Sequence, residues 1–514
     1  MTSRFRLARP LVVLAAALLL QPALRAEVRL PALFSDHALF QQGRRIPVWG
    51  WAAPGERVTV EFAGRRAATV AGADGRWRVN LPALRAGGPH DLRVSGNNAL
   101  LRTNLLIGEV WVASGQSNME WPMRLTENPG PAIEAGYNNH LRLFTVPKLK
   151  ADAPVDDVQS RWLPARPEHL TNFSATAYYF ARALQAARGV PVGIIHTSWG
   201  GSPAEVWMRE GVLAAVPEFN ADILGPYPAV RQRAEDAIAA WEKEAAAARA
   251  EGRQPARNRP GLPWRPAELY NGMIAPLIPY AIAGAIWYQG ESNAGRADQY
   301  ARLFPSLILN WREDWAQGDF PFLFVQLAPW DKNRRRTLGE ITAAPGESDW
   351  AELREAQLYT TRLLPKTGMA VITDLGDKDD IHPQQKREVG ERLALLARKI
   401  AHGERIVANG PEFRRMTVRG DEAVLGFDHV GAGLEARDGP LQGFQIAGTD
   451  RQWVWADARI EGDKVIVRSP KVASPAAVRF GWSDFPVVNL WNRDGLPATP
   501  FRTDNFPPTT ARKP

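Results

Sequence analysis

The chain contains apolar runs that are continuous rather than alternating, with helical patterns between them. The runs are EVWVAS (109–114), VGIIHTS (192–198), IAGAIWYQ (282–289), FPFLFVQ (320–326) and GMAVITD (368–374). Continuous apolar residues are typical of strands that are buried on both faces of a parallel sheet. The helical patterns between and after them include residues 175–189, 300–315 and 383–403. This alternation predicts an α/β fold with a doubly wound parallel sheet.

Residues 27–103 show a different pattern, in which short segments alternate polar and apolar residues. Turn signals such as APGE, GADG and AGG separate these segments, which is typical of a small β-sandwich. We expect Trp49, Trp51 and Trp77 to lie in its core.

Alternation returns in residues 405–514, in segments such as AVLGFDHV and KVIVRS, and predicts a second β-sandwich-like domain. Residues 104–404 form the predicted α/β domain between the two. An Ala-, Glu- and Arg-rich stretch near 229–262 ends in Pro and Gly, which indicates a surface helix and linker inserted into the α/β domain.

The N-terminus has the order of a secretory signal peptide. Arg4, Arg6 and Arg9 precede an apolar run over 11–20, and small residues follow up to Ala26. This order predicts a signal segment 1–26 that is cleaved after Ala26. A membrane anchor is the alternative, but the run is shorter than the roughly 20 apolar residues that a spanning helix needs. No later segment could span a membrane, so we expect a bacterial periplasmic or secreted protein without membrane contact after cleavage.

Composition limits the chemistry of the chain. It has no cysteine, which excludes disulfides, thiol catalysis and Cys-ligated metals, and no two histidines lie at metal-ligand spacing. The formal net charge is +8, but no basic run is interleaved with aromatic residues as a nucleic-acid surface requires. We therefore expect neither a metal nor a nucleic acid. The sequence does not indicate an oligomeric state.

Polar segments follow the predicted strands: GQSNM, WGGSPAEVWM, QGESNA and DLGDKDDIHP. Ligands of open α/β sheets collect beyond the carboxyl ends of the strands. A hydroxyl nucleophile needs a base within hydrogen-bond reach and a carboxylate that orients the base. Ser117 supplies the hydroxyl, His382 the base, and Asp379 or Asp380 the carboxylate.

An oxyanion produced by attack of Ser117 needs donors aimed at it. The Ser117 N–H, a backbone N–H of Gly200 or Gly201 and the Asn293 amide are the candidates. Each has an ordinary structural alternative, such as a helix cap for Ser117 and Asn293 or a simple turn for Gly200 and Gly201. The occurrence of all four segments in one chain favours a hydrolytic site.

These segments resemble the motif blocks of the SGNH hydrolase superfamily, and specifically those of the sialate O-acetylesterase family of carbohydrate esterases. Ser117 in GQSNMEWPM matches the nucleophile block, and SWGGSPAEVWM, WYQGESNA and DIHPQQK match the glycine, asparagine and terminal blocks. LYNGMIAPLIPY and GLPATPFRTD also resemble family signatures. The DIHP pattern of the family points to Asp380, whereas many SGNH enzymes have the aspartate three residues before the histidine, at Asp379.

The resemblance implies a serine esterase that removes acetyl groups from an acetylated oligosaccharide or polysaccharide and needs no cofactor. The implied substrates are O-acetyl sialic acid and acetylated plant hemicellulose such as xyloglucan. Trp121 and Trp199 could stack on sugar rings, and Gln116 and Glu291 lie beside the motifs as polar substrate contacts.

Two other functions remain open from the residues. A glycoside hydrolase would need two carboxylates, which Glu109, Glu120, Glu205 and Glu291 could supply, but it leaves Ser117 and His382 without roles. A non-catalytic glycan-binding protein would explain the tryptophans and the β-domains only.

Overall fold

The computed structural model describes residues 27–333 and 335–511, and the predicted signal segment 1–26 lies outside them. The first part of the described chain is a 3₁₀ turn at Ala32–Phe34 and strands β1 (Leu39–Gln41), β2 (Ile46–Trp51), β3 (Arg57–Phe62), β4 (Arg65–Val70), β5 (Arg76–Leu81) and β6 (Gly87–Ser95). The antiparallel pairs β2–β5, β3–β4 and β3–β6 share one apolar core. Trp77 is buried in it, whereas Trp49 is only partly buried.

The central sheet contains β7 (Ala99–Gly115), β8 (Asn138–Thr145), β9 (Leu163–Ala165), β10 (Val192–Ser198), β11 (Gly284–Tyr288), β12 (Phe322–Val325) and β13 (Thr367–Ala370). Its order is β13–β12–β11–β7–β10–β8–β9, and every neighbouring pair is parallel except β8–β9. The predicted α/β class with a parallel sheet is confirmed.

Strand β7 pairs both with the N-terminal strands and with strands of the central sheet. Its first half pairs with β6 and β1, and its second half pairs with β10 and β11. In that second half, Val110 and Val112 face one apolar cluster, whereas Trp111 and Ala113 face the other. The domain boundary predicted at 103/104 falls inside this continuous strand.

The helices are α1 (Ser117–Glu120), α2 (Pro129–Glu134), α3 (Pro167–Leu170), α4 (Ala175–Arg188), α5 (Glu210–Ala215), α6 (Pro217–Phe219), α7 (Tyr227–Ala250), α8 (Ala297–Trp315), α9 (Leu338–Ile341), α10 (Asp349–Leu363) and α11 (Lys386–Ile400). Short 3₁₀ or π segments lie at Met123–Leu125, Ala204–Trp207, Asn220–Leu224, Tyr270–Ile274, Ala275–Leu277 and Glu291–Arg296. α4 and α11 cover one face of the sheet, and α8 and α10 the other. The largely exposed α7 lies in the predicted insertion.

The remaining strands are β14 (Glu412–Arg419), β15 (Glu422–Asp428), β16 (Leu434–Ala436), β17 (Phe444–Ala447), β18 (Val454–Trp455), β19 (Asp457–Glu461), β20 (Lys464–Arg468), β21 (Ala477–Phe480), β22 (Leu490–Asn492) and β23 (Phe501–Arg502). They form antiparallel sheets around an apolar cluster of their own. Across the described ranges, no helix combines the length and the apolar character needed to cross a membrane.

Arg354 of α10 connects the central sheet to the C-terminal β-region. Its buried guanidinium donates to the carbonyls of Leu327 and Ala328 after β12, and to those of Ser483 and Asp484. Burial lowers the pKa of Arg354 to about 10. Only a planar guanidinium has enough donors in a fixed arrangement to satisfy carbonyls from both segments.

We expect Arg354→Met to destabilise the protein by roughly 3 kcal/mol, because it leaves several buried carbonyls without donors. The matched control is Arg362→Met on the same helix, where the guanidinium is 53% exposed and pairs with Glu412. That exposed pair should contribute less than about 1 kcal/mol. The midpoints of urea unfolding measure both; equal shifts would contradict the role assigned to Arg354.

Candidate active site

Strand β7 ends at Gly115, where the backbone passes very close to β11. Gly115 has φ +135°, and a Cβ atom there would lie 2.2 Å from the carbonyl oxygen of Tyr288. Glycine is therefore required at this position, both for its backbone angle and for the close approach. The chain then turns, and Ser117 begins the short helix α1.

Ser117 and His382 are in direct contact although 265 positions separate them in the sequence. The Nε2 atom of His382 lies 2.8 Å from the Ser117 Oγ atom. Trp121 stacks on the imidazole, with ring centroids 4.7 Å apart and planes inclined by 15°. One face of Trp121, a predicted substrate contact, therefore lies against His382.

The two candidate carboxylates lie in different surroundings. Asp380 Oδ1 is 3.6 Å from His382 Nδ1 and accepts the backbone N–H of His382 at 2.9 Å. The Asp379 carboxylate pairs with the Lys378 ammonium and is 61% exposed. The structure thus places Asp380 beside the imidazole and directs Asp379 toward a lysine.

The glycine segment lies against Ser117. A Cβ atom on Gly200 would be 3.2 Å from the Ser117 Cβ. The Gly200 N–H donates to Glu120 Oε2 at 2.7 Å. Gly201 is exposed and has φ +75°. Within the described part of the chain, the backbone N–H groups of Ser117 and Gly201 have no hydrogen-bond partner.

Asn293 is buried, with 1% of its surface exposed. Its oxygen accepts from the Ala204 N–H at 2.9 Å and from the Gln289 amide at 2.6 Å. Its amide nitrogen donates to Glu205 at 3.0 Å. The oxygen of the amide that was predicted to face an oxyanion, and one of its two donor hydrogens, are thus engaged with protein groups.

Gln116 and Glu291, two predicted substrate contacts, are also bound to protein groups. Gln116 Oε1 accepts from the N–H groups of Gly290 and Ser292 at 3.4 Å each. Glu291 Oε1 accepts from Asn118 at 2.6 Å, and burial raises the pKa of this carboxyl.

Trp199, the remaining predicted substrate contact, is part of a partly exposed aromatic patch. Its ring lies edge-on to Trp264, with centroids 5.4 Å apart. The Lys148 and Lys150 ammonium groups lie 5.5 Å and 5.7 Å from the centre of the Trp199 ring. Lys148 also pairs with Glu120, which connects this patch to Gly200.

Two site residues were missed in the sequence, namely Asn118 and Lys386. Lys386 Nζ donates to Asn118 Oδ1 at 2.6 Å, and burial lowers the pKa of this lysine to about 7. The signals were weak: Asn118 follows Ser117 directly, and Lys386 lies four residues after His382. Among the described residues, no group of three or more His, Asp or Glu side chains could hold a metal ion.

Comparisons with known proteins cover most of the chain. The model of the carbohydrate esterase family of sialic acid-specific acetylesterases matches residues 258–399. The sialate O-acetylesterase of Mus musculus is 28% identical over 88% of this chain and 90% of its own length, and that of Homo sapiens is 27% identical over 91% and 90%. The crystal structure of a carbohydrate acetylesterase from Xanthomonas citri is 41% identical, with a TM-score of 0.79, and covers 93% of this chain and 100% of that one.

The expected bacterial periplasmic or secreted location is wrong by these comparisons. The curated relatives come from mouse, rat, orang-utan and human, although the similar crystal structure is bacterial. The features behind the expectation were a leader-like N-terminus and the absence of cysteine. They concern export and redox chemistry, and neither specifies a bacterial source.

The different surroundings of the two aspartates lead to a paired prediction. We expect Asp380→Asn to lower kcat on an acetyl ester by about 10²-fold or more, because the amide no longer stabilises the imidazolium. Asp379→Asn should keep kcat within about threefold, as is usual for an exposed turn residue. Steady-state kinetics of both variants test this; a severe loss in Asp379→Asn with a mild one in Asp380→Asn would reverse the assignment.

Proposed function

The chain belongs to the sialate O-acetylesterase family of carbohydrate esterases and is a carboxylic ester hydrolase, and we propose that it removes acetyl groups from glycans through Ser117, His382 and Asp380. The observation that carries this proposal is the 2.8 Å contact between Ser117 Oγ and His382 Nε2. That distance is within the range at which a general base takes the proton of a serine hydroxyl.

In the proposed reaction, Ser117 Oγ bonds to the acetyl carbonyl carbon while His382 Nε2 takes the hydroxyl proton. The bond from this carbon to the sugar oxygen then breaks, and His382 passes the proton to that oxygen, so that the sugar leaves with a free hydroxyl. Water attacks the acetyl-serine with His382 again as base, which releases acetate and restores Ser117. Asp380, 3.6 Å from Nδ1, would stabilise the imidazolium that forms in both steps.

The negative charge on the carbonyl oxygen needs hydrogen-bond donors. The backbone N–H groups of Ser117 and Gly201 are suited to this role, since neither has a partner among the described residues. Gly200 would serve only after releasing Glu120, whereas Asn293 donates one of its two amide hydrogens to Glu205 and has a second one to offer.

Four ordered motifs at one sheet edge support assignment of the fold to the SGNH type. The glycoside hydrolase alternative has less support, because its candidate carboxylates are engaged elsewhere. Glu109 contacts His402, Glu120 binds Gly200 and Lys148, Glu205 binds Asn293 and Arg296, and Glu291 binds Asn118. A purely glycan-binding role does not account for the Ser117–His382 contact.

We favour an O-acetylated sialic acid over acetylated xyloglucan as the substrate. The names of the mammalian relatives and of the family model support this choice. The patch of Lys148, Lys150, Trp199 and Trp264 also supports it, because ammonium groups beside aromatic faces suit a sugar that carries a carboxylate.

Ser117→Ala is expected to lower hydrolysis of 4-nitrophenyl acetate by on the order of 10³-fold or more, because the nucleophile is lost. Circular dichroism and the urea midpoint should match those of the wild type. Acetate release by the folded variant at a normal rate would exclude the serine mechanism.

The substrate choice can be tested with Lys148→Met. We expect kcat/KM for an O-acetylated sialic acid to fall about tenfold, which corresponds to about 1.4 kcal/mol, with little change for 4-nitrophenyl acetate. Lys464→Met, on β20 of the C-terminal region, is the control and should change neither value. Higher wild-type kcat/KM on acetylated xyloglucan oligosaccharide, or equal losses of Lys148→Met on both esters, would contradict the assignment.

A further inference from the structure

Asn118, the residue after the proposed nucleophile, contacts three residues of two separate segments through one buried amide. It has 0% exposure. Its nitrogen donates to Glu291 Oε1 at 2.6 Å and to the carbonyl of Ile381 at 3.0 Å. Its oxygen accepts from Lys386 Nζ at 2.6 Å. The amide therefore uses both of its donor hydrogens and one acceptor position.

The charges on either side of Asn118 fix the orientation of its amide. An ammonium only donates hydrogen bonds, and an ionised carboxylate and a backbone carbonyl only accept them. Exchanging the amide oxygen and nitrogen would place donor against Lys386 and acceptor against Glu291 and Ile381. Only the observed orientation satisfies all three neighbours.

The arrangement is costly for stability. Lys386 is 1% exposed, and burying an ammonium and a carboxylate removes both from water. The second oxygen of Glu291, Oε2, is buried without a hydrogen-bond partner among the described residues. Apolar side chains of similar volume would fill this space at lower cost. Buried polar groups that are kept despite this loss of stability are expected to hold nearby residues in a particular arrangement.

The geometry that they specify is the approach of His382 to Ser117. Asn118 is covalently next to Ser117, and it binds the carbonyl of Ile381, which is covalently next to His382. The contact of Asp380 with the imidazole is looser, at 3.6 Å, and the Asp380 side chain is 50% exposed. The buried amide is therefore the more rigid connection between nucleophile and base.

We propose that Asn118 is a positioning residue for the Ser117–His382 pair, and that Lys386 and Glu291 hold its amide in the orientation this requires. This role rests on the proposed esterase function. Asn118 does not touch the acetyl group; it sets the distance between the two groups that do. Glu291, predicted as a substrate contact, acts through Asn118.

Asn118→Ala is expected to lower kcat on 4-nitrophenyl acetate by about 10²-fold with KM within about threefold, since a displacement of the base by about 1 Å has an effect of this size. The matched control is Asn310→Ala. Asn310 is 2% exposed, lies on α8 and accepts the N–H of Arg209 at 2.8 Å. The Asn310→Ala variant should be destabilised about as much as Asn118→Ala, but its kcat should stay within about twofold of the wild-type value.

Lys386→Met tests whether the lysine acts through Asn118. We expect a kcat loss of about tenfold, and the double variant Asn118→Ala/Lys386→Met should lose no more than Asn118→Ala alone, because coupled residues are not additive. Lys399→Met, near the end of α11, is the control. If Asn118→Ala does not fold, the split between kcat and KM in Lys386→Met decides the question.

A kcat of Asn118→Ala within about threefold of the wild type would overturn the proposal, and so would an equal loss in Asn310→Ala. A double variant whose loss is the product of the single losses would overturn the part played by Lys386. An active Ser117→Ala would instead overturn the proposed function. An inactive Ser117→Ala together with a fully active Asn118→Ala would overturn this inference alone.

Discussion

The backbone hydrogen bonds of β7 are the interaction on which the rest of the structure depends. This strand, Ala99–Gly115, pairs with N-terminal strands over its first half and with β10 and β11 over its second. In its second half the side chains alternate between two apolar clusters, so a slip by one residue would exchange Val110 and Val112 with Trp111 and Ala113 between the faces. Such a slip would also displace Gly115 from the one place where the Tyr288 backbone admits only a glycine. The position of Ser117 is therefore fixed by the pairing of the whole strand.

Near Ser117, buried amides connect the loops that carry the motifs. Gln116 and Asn118 bind the segment after β11, Asn293 binds the segment after β10, and Gln289 donates to Asn293. A buried amide costs free energy unless its hydrogen bonds are satisfied, so each of these loops has few alternative positions. These buried amide hydrogen bonds explain how Ser117 and His382, which are far apart in sequence, maintain a short contact.

The parts of the fold that were predictable are those whose sequence signal is local. Continuous apolar runs identified β10, β11 and β12, and turn-rich alternation indicated the flanking β-regions. β8 was missed because NNHLRLFT begins with polar residues, and β9 has only three residues. The Ser117–His382 contact could be anticipated from motif order. The burial of Lys386 could not, because a lysine in the first turn of an amphipathic helix has the sequence pattern of a solvated residue, and only tertiary packing buries it.

The same limit applies to the glycine donors. The motif order predicts that Gly200 lies near Ser117, but it does not predict that the Gly200 N–H already binds Glu120 at 2.7 Å. If the Gly200 N–H is to stabilise an oxyanion, the oxyanion must take the place of the Glu120 carboxylate as its acceptor. The N–H then exchanges one anionic acceptor for another, so it stabilises the transition state less than an N–H without a partner would. Gly201, whose N–H has no partner among the described residues, involves no such exchange, and this favours it over Gly200 as the backbone donor.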